Sequence, residues 1–126
     1  MKLHPDKPSP HLVVTAYETG LIAVNGRALT RSLLLTPHHL DGDWGPDEFA
    51  ALALRHVEPL AALGCDVLLL GTGNRQRFPS PALMRPLIEA GCGYEVMDTA
   101  AACRTYNILV AEGRAVAAAL ILEPPT

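Results

Sequence analysis

The run Asp66-Val67-Leu68-Leu69-Leu70-Gly71-Thr72-Gly73-Asn74-Arg75-Gln76-Arg77-Phe78-Pro79 (DVLLLGTGNRQRFP) decides the fold. Its first part is a short, continuously apolar segment of the type buried on both faces of a parallel sheet. Ser80-Pro81 then reads as an N-cap with proline at the first helical position, and Gly91 marks the end of that helix. Residues 94–97 (YEVM) form the next strand. Asp98 or Thr99 caps a second helix that runs to about residue 111 and stops at Gly113. Residues 115–122 (AVAAALIL) are a final, very apolar strand. The order β-α-β-α-β predicts a three-layer α/β domain with a parallel core.

Upstream of this unit the rhythm is antiparallel. Residues 11–18 and 21–24 read as strands joined by a turn at Thr19-Gly20. Asn25-Gly26 is a strong hairpin signal, and residues 28–35 continue as a third β run. This N-terminal β-meander either extends the main sheet or forms a small sheet of its own. Residues 37–45 read as a loop. Pro46-Asp47-Glu48 opens a helix with acids in its first turn, and Phe49, Leu52, Val57 and Leu60 supply its buried stripe. Pro59 predicts a kink or split near Val57. Residues 1–10, rich in proline and charge, read as a flexible arm, leaving 11–123 as one α/β domain.

A chain of 126 residues is long enough to bury a core, and its net charge of −3 with few aromatics argues against a nucleic-acid binder. Its longest greasy segment is too short to span a bilayer, and no signal peptide is expected. Cys65, Cys92 and Cys103 are odd in number and widely spaced, which suggests neither a disulfide framework nor a CxxC metal site. The expectation is a soluble cytoplasmic protein with reduced thiols, monomeric or homodimeric.

Gly71 and Gly73 satisfy half of GxGxxG, but position 76 is Gln and the helix begins too late to offer its N–H groups to a pyrophosphate. No Gly-Lys-Ser/Thr follows, so a P-loop is excluded as well. In a β-α-β unit, however, loop 71–79 and segment 98–100 leave the same carboxyl edge of the sheet, where ligand clefts of α/β folds lie. Gly71, Thr72, Gly73, Asn74, Arg75, Asp98, Thr99 and Asn107 are therefore the candidate ligand or partner surface. The plain alternative is a tight turn with solvated arginines and Asp98 as a cap. Thr99, Cys103 and Asn107 share one helical face. Asn is a poor mid-helix residue, so Asn107 should bond something specific, either a backbone group such as those of Gly71–Gly73 or a ligand.

The GTG at 71–73, the Met97-Asp98-Thr99 run, the alanines before Arg104-Thr105-Tyr106-Asn107, Gly113-Arg114 and Trp44 carry a family resemblance. From about Thr15 to Leu122 the chain resembles small single-domain proteins that include the mitochondrial complex I assembly factor three, the adipogenesis-associated domain protein and bacterial homologues. The resemblance implies a three-layer sandwich with a mixed, mostly parallel central sheet, adding an antiparallel strand to the parallel core. It also implies a role as a binding or assembly partner without known chemistry. The first residues are neither Arg-rich nor amphipathic, so the organelle-specific role does not carry over.

His38-His39-Leu40-Asp41-Gly42-Asp43 has metal-ligand chemistry, but adjacent histidines seldom hold one ion and nothing nearby is spaced to help. No metal or cofactor is expected. Cys103 has no histidine C-terminal of His56 to serve as its base, and Ser80 lacks the elbow of a nucleophilic serine. The leading expectation is a non-enzymatic binding or assembly-factor-like module with a protein partner. The alternative is a small-anion-binding protein or minor enzyme using the cleft at the carboxyl ends of the parallel strands, with Asp98 as base and Arg75 holding the anion.

Overall fold

A computed structural model describes residues 11–125; the expected arm over 1–10 lies outside them. Strands β1 (Val14–Glu18), β2 (Leu21–Val24) and β3 (Arg27–Leu29) form a three-stranded antiparallel sheet. Asn25 (φ 48) and Gly26 (φ 85) make the left-handed two-residue turn that the Asn-Gly pair predicts. A five-stranded sheet holds β4 (Leu33–Leu35), β5 (Leu40–Asp41), β6 (Val67–Gly71), β7 (Gly93–Met97) and β8 (Val116–Leu120) in the order β5-β4-β8-β6-β7. The pairs β6·β7 and β6·β8 are parallel, whereas β4·β5 and β4·β8 are antiparallel. The sheet is thus evenly mixed rather than mostly parallel.

The run expected as one strand over 28–35 is two strands in two sheets. The break is at Ser32, whose hydroxyl donates to the Pro46 carbonyl (2.5 Å) and accepts from the Leu122 N–H (2.9 Å). Both bonds of this buried hydroxyl go to segments outside β3 and β4 and pin the chain at the point where it passes from one sheet to the other. The expected loop 37–45 contains β5, a two-residue strand folded back on β4.

The helix expected from Pro46 is also corrected. Phe49–Ala51 and Glu58–Ala62 are 3-10 turns flanking the single α turn α1 (Leu54–Val57). Pro59 sits in the opening positions of the second 3-10 turn, where its missing N–H costs nothing. Asp47 and Glu48 precede the first turn rather than lie within it. Two longer helices complete the chain, α2 (Pro81–Glu89) and α3 (Thr99–Ala111). Ser80 occupies the N-cap position of α2, but its hydroxyl makes no capping bond; the Asp98 carboxylate does cap α3, accepting from the Ala101 N–H (2.8 Å).

Alternation along β6 explains its unbroken apolar run. Leu68 and Leu70 join a cluster with Trp44, Leu60, Met84 and Leu87, while Val67 and Leu69 join one with Ala102, Tyr106, Val110 and residues of β2. Both faces are therefore buried. No helix among the described residues is long and apolar enough to cross a membrane.

Candidate functional site

The carboxyl edge of β6 and β7 is tied together by threonine hydroxyls. Thr72 donates its Oγ1 hydrogen to the carbonyls of Arg75 (2.8 Å) and Met97 (3.2 Å), and the same oxygen accepts from the Arg77 N–H (3.1 Å). Thr99 donates to the Ile121 carbonyl (2.7 Å) and accepts from the Gly73 N–H (2.8 Å), while its own N–H donates to the Gly73 carbonyl (3.0 Å). Gly71 is required by close approach, since a Cβ there would lie 2.9 Å from Thr99 Oγ1 and 3.0 Å from Thr99 Cα. Gly73 is required twice over: its φ is +100, and a Cβ would run into the Glu123 carboxylate. The structure thus brings Gly71, Thr72, Gly73, Asn74, Asp98 and Thr99 together.

Glu123, which the sequence reading did not single out, is the centre of this loop. Its carboxylate accepts from the N–H groups of Phe49 (2.9 Å) and Asn74 (3.1 Å) and from Arg77 Nη2 (2.5 Å). Burial works to raise its pKa, but the Phe49, Arg77 and Asn74 donors outweigh burial and hold it below its ordinary value. Arg77 Nη2 also donates to the Thr72 carbonyl (2.7 Å), and the guanidinium carbon lies 5.0 Å from the centroid of the Phe49 ring. Arg77 is therefore an internal strut, not a solvated cation. The anion that a glycine-and-arginine loop predicts is supplied by the chain itself. The signal available in sequence was topological: β8 runs parallel to β6, so an acid following β8 emerges at the same edge as the loop.

Other bonds fix the loop without covering its tip. Asn74 Nδ2 donates to the Pro124 carbonyl (3.3 Å), and Gln76 Nε2 to the Val96 carbonyl (3.1 Å). Arg75 is exposed, and Phe78 presents 75% of its surface to solvent. A cleft of about 440 Å³ beside them is lined by Glu48, Asn74, Arg75, Arg77, Glu123 and Pro124, with equal numbers of acids and bases.

Asn107 lies elsewhere. Its Oδ1 accepts from the Val14 N–H (2.9 Å) and its Nδ2 donates to the Val14 carbonyl (2.8 Å), so its partner is the backbone of β1 and not the 71–73 loop. It lines a separate hollow with Tyr17, Ala100, Cys103 and Arg104. Arg75, Asp98 and Asn107 therefore do not share one pocket. The neighbouring Tyr106 is buried and donates its hydroxyl to the Leu12 carbonyl (2.8 Å), so this part of α3 holds the N-terminal strand.

The remaining candidates are engaged structurally. Burial pushes the Cys103 thiol up to about 12, which leaves no thiolate for nucleophilic work. In the 38–43 loop, Asp43 pairs with Arg31 (3.0 Å), Asp41 accepts from the Asp43 N–H (2.9 Å), and the His38 ring meets His11 edge-on at 5.5 Å.

Comparison with known proteins places this architecture. A crystal structure of a Bordetella parapertussis protein superposes with a TM-score of 0.82 at 41% identity, covering 89% of this chain and 96% of that one. A solution structure from Bordetella pertussis, described as a Mth938-like domain, gives 0.82 at 34% identity over 100% and 95%. The α/β fold, with its mixed sheet and antiparallel three-stranded sheet, matches these structures. Among curated proteins, human NADH dehydrogenase [ubiquinone] 1 alpha subcomplex assembly factor 3 is 28% identical over 120 residues, 90% of this chain and 62% of that protein. The 13 kDa major membrane protein of Francisella tularensis is 31% identical over 75 residues, 60% of this chain and 61% of that protein. The chain thus spans less than two thirds of the length of these curated relatives. Residues 14–121 match the family model described as a protein of unknown function (DUF498/DUF598), and the chain belongs to that family.

Proposed function

We propose that the chain is an assembly-factor-like module that binds a protein partner through the tip of the 71–79 loop, chiefly Arg75 and Phe78 with Asn74 beside them. The observation that carries this reading is the division of labour within the loop. The groups suited to an anion, Arg77 and the Asn74 N–H, are occupied by Glu123. The groups left exposed are an aromatic ring and a guanidinium on a backbone pinned from behind. Rigid, exposed Phe and Arg side chains are what a protein interface uses as anchors. A charge-balanced cleft gives a small anion no net attraction, so that alternative falls behind. The likeness to a complex I assembly factor supports the same class of role, with the partner left for experiment to identify. The reading takes 11–123 as one domain in three layers: α1 and α2, the five-stranded sheet, then α3 with the small sheet.

The test is affinity capture from a native cell extract with quantitative mass spectrometry, comparing wild type with an Arg75→Ala, Phe78→Ala double variant of equal melting temperature. A partner recovered by wild type should fall roughly tenfold or more in the variant, the effect of removing hot-spot anchors. Recovery unchanged by the double substitution would place the interface elsewhere. An anion that raises the melting temperature of wild type but not of Arg75→Ala would reinstate the ligand reading.

A further inference from the structure

Cys65 and Cys92 are 27 residues apart, yet their sulfurs lie 3.9 Å from each other. They stand at the amino ends of β6 and β7, the opposite edge of the sheet from the 71–79 loop. With Val67 paired to Gly93, Cys65 and Cys92 lie just before two neighbouring parallel strands. Both side chains pack against the same apolar cluster, on one face of the sheet. Both thiols are partly exposed, whereas Cys103 is buried. Both also lie in connections rather than in strands, and Gly91 (φ +71) turns the chain into Cys92. A cleft of about 430 Å³ lined by His38, Leu63, Cys65, Arg114 and Val116 gives solutes a route to Cys65.

The geometry points to a reversible modification site: Cys65 and Cys92 form an internal disulfide by exchange with a small-molecule disulfide. One cysteine thiolate attacks the oxidant, breaking its S–S bond and releasing one thiol. The second cysteine then attacks the protein sulfur of the mixed disulfide, forming the 65–92 bond and releasing the second thiol. The two protons lost by the cysteines leave on the two released thiols, and the oxidant takes up the two electrons. The bond would fasten the start of the edge strand β7 to β6. Burial first, and then the nearby Cys92 and Asp66, push the Cys65 thiol up to about 11, so attack by Cys65 is slow at neutral pH and speeds up as the pH rises.

The folded protein is incubated with oxidised glutathione, then alkylated and mapped by mass spectrometry beside Cys92→Ser and Cys65→Ser variants. The expected result is a wild-type chain lighter by two hydrogens before alkylation, and after it the peptides bearing residues 65 and 92 joined and Cys103 alkylated. Its melting temperature should rise, and dithiothreitol should reverse it. Each Ser variant should stop at the glutathione adduct. The proposal is overturned if wild type also stops at an adduct, bonds through Cys103, or stays fully reduced under conditions that oxidise the denatured chain.

Discussion

Glu123 turns a loop that reads as a ligand cradle into a closed clamp, and its chemistry predicts how the protein meets acid. The Phe49 and Asn74 N–H groups and Arg77 stabilise the charged carboxylate, holding it below its ordinary value of 4.5 against the opposing effect of burial. A depressed carboxylate contributes its full stabilisation above the unfolded-state pKa and loses it as the pH falls through the folded-state value. Wild type should therefore lose stability on acidification below 4.5, and Glu123→Gln should flatten that part of the profile. At neutral pH, Glu123→Ala leaves two N–H groups without their acceptor and Arg77 without its ion-pair partner, which should cost about 2–3 kcal/mol. Denaturant unfolding at neutral and acid pH measures both; a neutral-pH loss below about 0.5 kcal/mol, the scale of an ordinary surface change, would show that the clamp is dispensable. The glycines were legible in the sequence as a special turn, whereas the loop's arginines read as solvated or as available to an anion. The Glu123 acceptor was not legible, because it lies 46 residues away from Arg77 in a proline-rich segment with no pattern of its own.

Elements were legible wherever one local signal sufficed. Of the two caps read for α3, Asp98 is the one that serves, and Gly113 (φ +77) closes the helix with the Gly113 and Arg114 N–H groups donating to Val110 and Leu109. Elements were misread where a distant partner decides: Ser32 breaks a continuous β pattern through Pro46 and Leu122, and a proline-split helix became three short turns. Asn107 is the same kind of case. In β1 the register slips between Val14 and Ala16, and Asn107 takes up both backbone groups of Val14. Asn107→Ala gains up to about 0.7 kcal/mol of helix propensity but strands a donor and an acceptor at about 1–3 kcal/mol. The net result should be a loss on the order of 1 kcal/mol, with faster amide exchange at Val14 than elsewhere in β1. Unchanged exchange at Val14 would mean that water replaces the side chain without penalty, and that the bond does not set the position of β1.

At the scale of the molecule, the last strand is the middle of the sheet. β8 lies between β4 and β6, antiparallel to one and parallel to the other, so it joins the N-terminal third of the chain to the β-α-β unit. Ala117, Ala118 and Ala119 are fully buried, with alternate residues facing the two clusters: Ala118 the one that holds the buried face of α3, Ala117 and Ala119 the one that includes Trp44 and Met84. The sequence shows an apolar run here but not its neighbours, because sheet order depends on which backbone edges remain free after all other strands have paired. This placement separates two truncations that differ by only seven residues. A chain ending at Leu122 keeps β8 and loses Glu123 together with the Pro124 acceptor of Asn74, so it should fold and unfold cooperatively with at least the loss of Glu123→Ala. A chain ending at Ala115 lacks the strand that both halves share, leaving β4 and β6 with open edges and both clusters with exposed apolar faces. It should show no cooperative thermal transition and should aggregate. Calorimetry on the two truncations decides the matter: a sharp transition in the shorter chain would mean that the halves fold without their common strand.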